Sequence, residues 1–542
     1  MAVLAWQARR RTVEALSTGG AHVLDVVGAG VLLRSGLLLP ARPDRLLGMV
    51  LAVARWGITP ATGYAAGASR HPSRTALVDD DGPLSFRDVD RRTDRIASEL
   101  RARGLRDGDA AGLLARNGRG LVEGAVALAK VGADVLYLNT GSAAGPLTQV
   151  LDREGATAVV HDEEFAELLA PALPGRLAIT TEELADLALT STLGAPPTPR
   201  HTSRQVILTS GTTGAPRGAA RGGASVQDAV AALSSIPLRA RETTVLAAPG
   251  FHAWGLGHLS LAVLLGSTVV MQRRFDPEQV LRAVEQHRAT VLVVVPVMLE
   301  RLVETARTGA YDVSSLRVIA SSGSALPGDL ARRVQDVFGP VLHNLYGSTE
   351  VAYAAVASPA DLAADPRTAG RPPRGVVLRV VDDAGQDVPT GTAGRIFVGS
   401  GLTFTGYTDG TDKDRLGGLV STGDLGVLDD VGRLTVLGRD DDMVVIGGEN
   451  VHPGQVEDVL AEDPSVADVA VVDEPDEVYG VRLVAHVVAA PGATVDEEHL
   501  KERVRSSLAR FAVPREVRLL TELPRNATGK VLRRELRAGA QP

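Results

Sequence analysis

The segment QVILTSGTTGAPRG, Gln205–Gly218, joins a short apolar run to a loop of glycine, threonine and serine. Val206, Ile207 and Leu208 read as a buried strand that feeds a glycine-rich turn. In such a turn the backbone N–H groups of Gly211 and Gly214 can approach a polyphosphate closely. The hydroxyls of Thr209, Ser210, Thr212 and Thr213 add donors, and Arg217 adds positive charge. The spacing is not that of a Walker A loop, because counting from Gly211 puts Pro216 where that motif needs its second glycine. On spacing alone, a plain surface loop is the competing reading.

Outward from this segment, short apolar runs alternate with helical patterns, the signature of an α/β architecture. Ser85 is placed to cap a helix whose Val89, Ile96 and Leu100 share one face and which stops at Gly104. Strand-like runs recur at Val291–Pro296, Leu316–Ser321 and Gly394–Ser400, and Pro196–Thr202 reads as a linker. Past Arg439 the acidic triplet Asp440–Asp442 leads into an apolar run and the pair Gly447 and Gly448, a hinge-like change before a C-terminal domain.

Three further segments carry chemistry-bearing residues. In YGSTE, Tyr346–Glu350, an aromatic ring that could stack on a base precedes Gly347, Ser348 and Thr349 and a carboxylate suited to magnesium. In STGDLG, Ser421–Gly426, Asp424 sits between glycines, a fixed presentation that two ribose hydroxyls would need. In LPRNATGKVLRREL, Leu523–Leu536, Lys530 follows Gly529 at the head of a helical run, where its charge could meet a developing phosphorane. Each alone reads equally as a structural turn or a helix start.

The 542 residues suggest more than one folding unit, and 44% apolar composition supplies a sizeable core. The net charge of −8 argues against a nucleic-acid binder. The absence of cysteine excludes disulfides and thiolate chemistry and fits a reducing cytosol. Only four of the 57 basic residues are lysine, at 130, 413, 501 and 530, so each lysine position merits scrutiny. The 11 histidines show no metal-ligand spacing.

Residues 1–60 carry seven arginines against three acids, among apolar runs too short to span a bilayer. They read as amphipathic helices that pack on the body or on a second subunit, or as a peripheral membrane contact. Thr243–Gln272 lacks any Asp, Glu, Lys or Arg, but its Pro249 and four glycines make it buried strand, loop and helix rather than a span.

Together, in this order, the four motifs resemble the adenylate-forming superfamily of acyl-CoA synthetases, peptide-synthetase adenylation domains and luciferases, over about residues 60–540. The resemblance implies a large N-terminal domain of α/β layers and a small, mobile α+β C-terminal domain. The expected boundaries are an N-terminal helical extension at 1–60, an adenylation domain at 61–439 and a C-terminal domain at 440–542, hinged near Asp441. It further implies ATP, Mg2+ and coenzyme A. Glu350 with Thr209 is assigned the metal, and Asp424 and Arg439 the nucleotide. Asn344 and Gly323, Ser324 and Ala325, from the adenine-loop-like SSGSALP, join them. Lys530 falls to the first half-reaction, and Gly447, Gly448, Glu449 and Asn450 to the pantetheine tunnel. His252, Trp254 and Gly255, in PGFHAWGLG, fall to the acyl pocket, although a packed core serves that segment as well. One departure stands out: Arg217 replaces the lysine that usually follows this proline, which keeps charge but alters donor geometry.

The implied activity is a cytoplasmic ATP-dependent fatty-acid–CoA ligase for medium or long chains. An aryl or short-chain acid ligase, or one that loads a carrier protein, uses the same motifs. A catalytically silent nucleotide-binding scaffold is the reading from another class, and Arg217 alone speaks for it.

Overall fold

A computed structural model describes residues 26–37, 42–209, 217–220, 226–404, 406–407, 410, 412–440, 444–446, 449–476, 480–508, 512–526 and 529–538. The run VLVV at Val291–Val294 is buried at every position, as a strand covered on both faces must be. It lies near the middle of an eight-stranded sheet. From Leu342–Tyr346 through Val318–Ser321, Val291–Val294, Thr243–Leu246 and Thr268–Met271 to Thr75–Asp79, each neighbour is parallel. An antiparallel strand closes each edge, Ala355–Ala357 at one and Gly82–Ser85 at the other.

A second, seven-stranded sheet has a parallel block of Gln205–Thr209, Asp134–Tyr137, Ala110–Leu114, Ala156–His161 and Leu177–Thr180. Arg217–Ala220 folds back antiparallel on Gln205–Thr209, so the glycine-rich segment is bracketed by paired strands. The helices between the sheets follow local sequence. Ser85 and Asp88 form a reciprocal capping box that starts Phe86–Ala102, whose Val89, Ile96 and Leu100 are buried. Arg119–Val131 is buried from Leu121 to Val131, charged residues included. Lys130 within it is fully covered, and its ammonium donates at 2.7 Å to carboxylates of both Asp90 and Asp94.

A third, antiparallel sheet contains Val377–Val381, Gly394–Gly399, the long Leu419–Leu428 and Leu434–Arg439. The C-terminal part is α+β: the hairpin Val466–Asp476 and Gly480–Ala489 takes Glu516–Leu520 as a parallel third strand. Pro453–Ala461, Glu497–Ser507 and Arg533–Ala538 are its helices. The architecture is thus the anticipated one, a large N-terminal α/β domain and a smaller C-terminal domain.

In the N-terminal extension a helix packs on the body, and its outward face is apolar as well. Helix Pro43–Trp56 buries Ala52 and Trp56, while Leu46, Leu47, Val50 and Leu51 face outward. Trp56 is held between two cations, Arg55 at 4.5 Å and Lys130 at 5.5 Å from the ring centroid. Among the described residues no helix is long and apolar enough to cross a membrane.

Candidate functional site

Three motifs far apart in sequence meet in one cavity. Tyr346 ends a strand of the eight-stranded sheet, and its hydroxyl donates a hydrogen bond to Asp424 in the antiparallel sheet. Strand register sets Arg439 opposite Asp424, where its guanidinium reaches Asp424 Oδ1 at 3.4 Å and the Thr422 carbonyl at 3.1 Å. The Asp424 N–H donates to the Thr422 hydroxyl at 3.1 Å, which fixes the turn. Gly423 is required by its φ of +78°, and a Cβ there would lie 2.9 Å from the Arg439 guanidinium and displace it. Burial raises the Asp424 carboxyl above its ordinary value despite Tyr346, Arg439 and Lys413, and burial with the Asp424 charge raises the Tyr346 phenol further.

Glu350 is buried at the end of the YGSTE turn. Its Oε1 accepts from the Tyr407 hydroxyl at 2.6 Å. Burial alone would raise its carboxyl, but the Lys413 ammonium and the Tyr407 hydroxyl outweigh it, so Glu350 is held below the usual carboxylate range. Tyr407 stands in a two-residue strand paired with Arg217–Ala220, so the strand leaving the glycine-rich segment is tied through one phenol to Glu350. Gly347 leaves no room for a side chain, since a Cβ would lie 1.8 Å from the Ala352 carbonyl oxygen.

The opposite wall is the loop after Val318–Ser321. Gly323 adopts φ +100°, and the Ser322 hydroxyl donates to the Leu345 carbonyl at 2.9 Å. Gly323, Ser324 and Ala325 line the cavity, as do Gly347, Ser348 and Thr349. Asn344 lines it too, and its buried Oδ1 has no hydrogen-bond partner. An orphaned acceptor in this position suits a donor such as the exocyclic amine of adenine.

Lys530 lines the same cavity as Glu350 and Asp424. It does not open a helix as the sequence suggested, because the helix begins at Arg533. Instead, Lys530 N donates to Asn526 Oδ1 and Asn526 N to the Lys530 carbonyl, both at 2.9 Å, closing a turn. The preceding Gly529 backs onto Val297 of the large domain so tightly that a Cβ would lie 2.5 Å from Val297 Cγ1.

In PGFHAWGLG, Trp254 is held by its indole N–H, which donates to the Val294 carbonyl at 2.9 Å, and by an edge-on contact with His258 at 4.0 Å. Gly255 is demanded by packing, with the Pro249 carbonyl oxygen 2.2 Å from where a Cβ would be. Burial pushes His252 down to about 4, so it is neutral at pH 7. All three line the cavity, whose volume of about 2310 Å³ exceeds the several hundred needed for one small ligand.

Ser210, Gly211, Thr212, Thr213 and Gly214 lie outside the described residues, as do Asp441, Gly447 and Gly448; Thr209, Arg217, Glu449 and Asn450 are described by backbone only. Among the described residues no three metal-ligating side chains converge. Magnesium, however, is commonly held by one or two carboxylates together with substrate phosphates, and the single ionised Glu350 fits that donor set. Sequence reasoning did not assign Tyr407 and Lys413. Lysine rarity marked Lys413, whereas nothing local marks Tyr407.

Comparison with known proteins agrees with this geometry. The AMP-binding enzyme family matches residues 64–408, and the AMP-binding enzyme C-terminal domain matches 455–530. Indoleacetate–CoA ligase of Aromatoleum aromaticum is 33% identical over 498 residues, covering 87% of this chain and 96% of the relative. A fatty acid–[acyl-carrier-protein] ligase of Streptomyces coeruleorubidus is 30% identical, over 87% of this chain and 94% of its own. The o-succinylbenzoate CoA synthetase of Bacillus subtilis, in complex with its acyl-adenylate intermediate, superposes with TM-score 0.78 and 28% identity, covering 88% of this chain and 97% of that one. The chain therefore belongs to the AMP-binding enzyme family, among the acyl- and aryl-CoA ligases of the adenylate-forming superfamily.

Proposed function

We propose that this enzyme activates a medium- or long-chain fatty acid with ATP, forming an acyl-adenylate and pyrophosphate, and then passes the acyl group to coenzyme A with release of AMP. The observation that carries the reading is the single cavity whose lining joins Glu350, Asp424 and Lys530 to apolar side chains. Trp254, Leu259 and Leu261 line this apolar passage, and so do Val53, Ile58 and Leu264, which are exposed at the surface.

A carboxylic acid is already an anion at neutral pH, so its attack on the α-phosphorus needs no general base. It needs relief of repulsion between two anions. Asp424 and Arg439 orient the ribose, Asn344 accepts from the base, and Lys530 and Lys413 bring cations to the phosphates. Magnesium, bound through Glu350, would supply further neutralisation of phosphate charge. His252, neutral at pH 7, adds no charge beside the acyl carbon.

An aryl acid is the second reading, favoured by the Trp254 indole in the passage and by the indoleacetate specificity named for one relative. A carrier protein as acceptor is the third, favoured by the relative named for that partner. A cytoplasmic location belongs to this reading, and the absence of cysteine supports it.

Exchange of labelled pyrophosphate into ATP, measured over a ladder of fatty and aromatic acids, tests the reading. A peak on fatty acids with acyl-CoA formed supports it, and a peak on aromatic acids replaces it with the aryl ligase. Exchange with none of them, despite ATP binding, revives the silent scaffold.

A further inference from the structure

Thr59 stands at the N-cap of helix Pro60–Arg70, where a threonine hydroxyl ordinarily accepts from a first-turn N–H. Here it makes no such bond. Tyr64, further along the same helix, packs its ring beside Phe86 with centroids 6.0 Å apart. The two residues are only 7% and 2% exposed, and both line the cavity that holds Glu350 and Lys530. Among the described residues neither hydroxyl has a hydrogen-bond partner. Buried hydroxyls without partners are rare, so two of them on one stretch of cavity wall mark a place where a ligand supplies the bond.

Their polar neighbours, in contrast, are satisfied. The Tyr137 hydroxyl donates to Gln205 Oε1 at 2.8 Å, and Gln205 Nε2 donates to the Ser203 hydroxyl at 3.0 Å. All three of these residues line the cavity too. Burial, and next the nearby Tyr64 phenol, raise Tyr137, and burial raises Tyr64, so both phenols keep their protons at neutral pH. Gly57, two residues before Thr59, backs onto Thr202, where a Cβ would lie 2.7 Å from Thr202 Cγ2. Thr59 and Tyr64 thus belong to one polar rim with Ser203, Gln205 and Tyr137. This rim is set away from the glycine-rich segment. Gln205 opens the strand Gln205–Thr209, so four strand rises, about 13 Å, separate it from Thr209. Apolar side chains adjoin it: Leu256, Leu259 and Val263 of helix Ala253–Leu264 line the cavity, and a Cβ on Gly63 would lie 2.9 Å from Val263 Cγ1.

We propose that Tyr64 and Thr59 form a specificity subsite for an uncharged oxygen on the far part of the acyl chain, a hydroxyl, keto or ether group. The enzyme then prefers an oxygenated medium-chain acid to the plain one. The Tyr64 hydroxyl donates to that oxygen, and the Thr59 hydroxyl donates or accepts as the group requires. A second carboxylate is not the occupant. Arg204, the cation on this rim, is committed to Asp134, to which its Nε donates at 2.7 Å, and a buried anion left without a partner is costly. The chain class of the acid rests on the fatty-acid reading above.

The test is pyrophosphate exchange by the full chain on fatty acids from octanoate to hexadecanoate, each compared with its ω-hydroxy counterpart and an oxo acid of the same length. At the length that reaches the rim, the oxygenated acid is expected to show kcat/KM about tenfold above the plain acid, the scale of one net hydrogen bond. The gain should lie in KM. Tyr64→Phe and Thr59→Val should each draw that ratio toward one. The ratio compares two acids on one enzyme, so a smaller folded fraction in a variant cancels from it.

A ratio near one in the parent enzyme at every length overturns the proposal and leaves the two hydroxyls to bound water. A preference that is unchanged in both variants overturns it as well, since the oxygen is then read elsewhere. Exchange on aromatic acids alone removes the fatty-acid reading. The same ratio, taken between a hydroxylated aromatic acid and its unsubstituted parent, then decides for or against the subsite.

Discussion

The Tyr346 hydroxyl and the Asp424 carboxylate share a partly buried hydrogen bond across 78 residues of sequence, and the bond joins the eight-stranded sheet to the antiparallel one. Each motif looked like an isolated turn, but the fold makes one the support of the other. A hydrogen bond to a charged group contributes about 1.5–3 kcal/mol. Tyr346→Phe is accordingly expected to raise the Kd for AMP about tenfold, measured by calorimetry. An unchanged Kd would show that Asp424 keeps its position without the phenol.

Lys413 contributes to the charge balance of both Glu350 and Asp424, and its ammonium donates to the Thr422 carbonyl at 3.0 Å. Lys413→Met should lower the adenylation rate about tenfold and raise the magnesium concentration needed for half-maximal exchange, whereas Lys413→Arg should recover most of the loss. A magnesium titration that superposes on that of the parent enzyme would place Lys413 outside the reaction.

Lys530→Ala should slow acyl-adenylate formation by about 10²–10³-fold, the scale of losing one preorganised electrostatic group. Thioester formation from a preformed acyl-adenylate should change little. Equal loss in both assays would refute that division of labour.

Lys130 is a covered cation between two carboxylates that also borders the Trp56 ring. Lys130→Met strands Asp90 and Asp94 partly buried, and a loss of about 3 kcal/mol in denaturant unfolding is expected. A loss below about 1 kcal/mol would mean that solvent already satisfies those carboxylates.

Glu164 binds Arg116 from its own sheet and Arg273 and Arg274 from beyond the other, and the hydrogen bond from Arg116, with Arg273 next, brings its carboxyl down to about 2. A depressed folded value contributes stability above the unfolded carboxylate pKa of about 4.3 and loses it as pH falls toward 2. Glu164→Gln should flatten the acid side of the stability profile by on the order of 1 kcal/mol, discounted for partial exposure. Melting curves between neutral pH and pH 3 check this.

The elements that sequence could locate were those whose pattern is local. The Ser85 cap, the valine-rich strand at 291 and the charge-free stretch at 243–272 each carry their own signal in consecutive residues. The contacts between motifs are tertiary and leave no such trace. Tyr407 reaches Glu350 only because its strand pairs with the one after the glycine-rich segment, and Lys413 approaches through a segment with no periodicity. Helix Pro43–Trp56 packs on the body, one of the readings its sequence allows, but its apolar residues cover most of its circumference, so the pattern does not say that Ala52 and Trp56 turn inward.

The flush contact of Gly529 with Val297 bears on timing. Any rotation that withdraws Lys530 begins by sliding a bare Cα off an aliphatic side chain, an uncharged latch with less than a methyl group of clearance. Ionic strength acts weakly on such a catch, whereas the bulk of the residue at 297 acts strongly. A hand-over that moves Lys530 would meet, at this one contact, a barrier of shape rather than of salt.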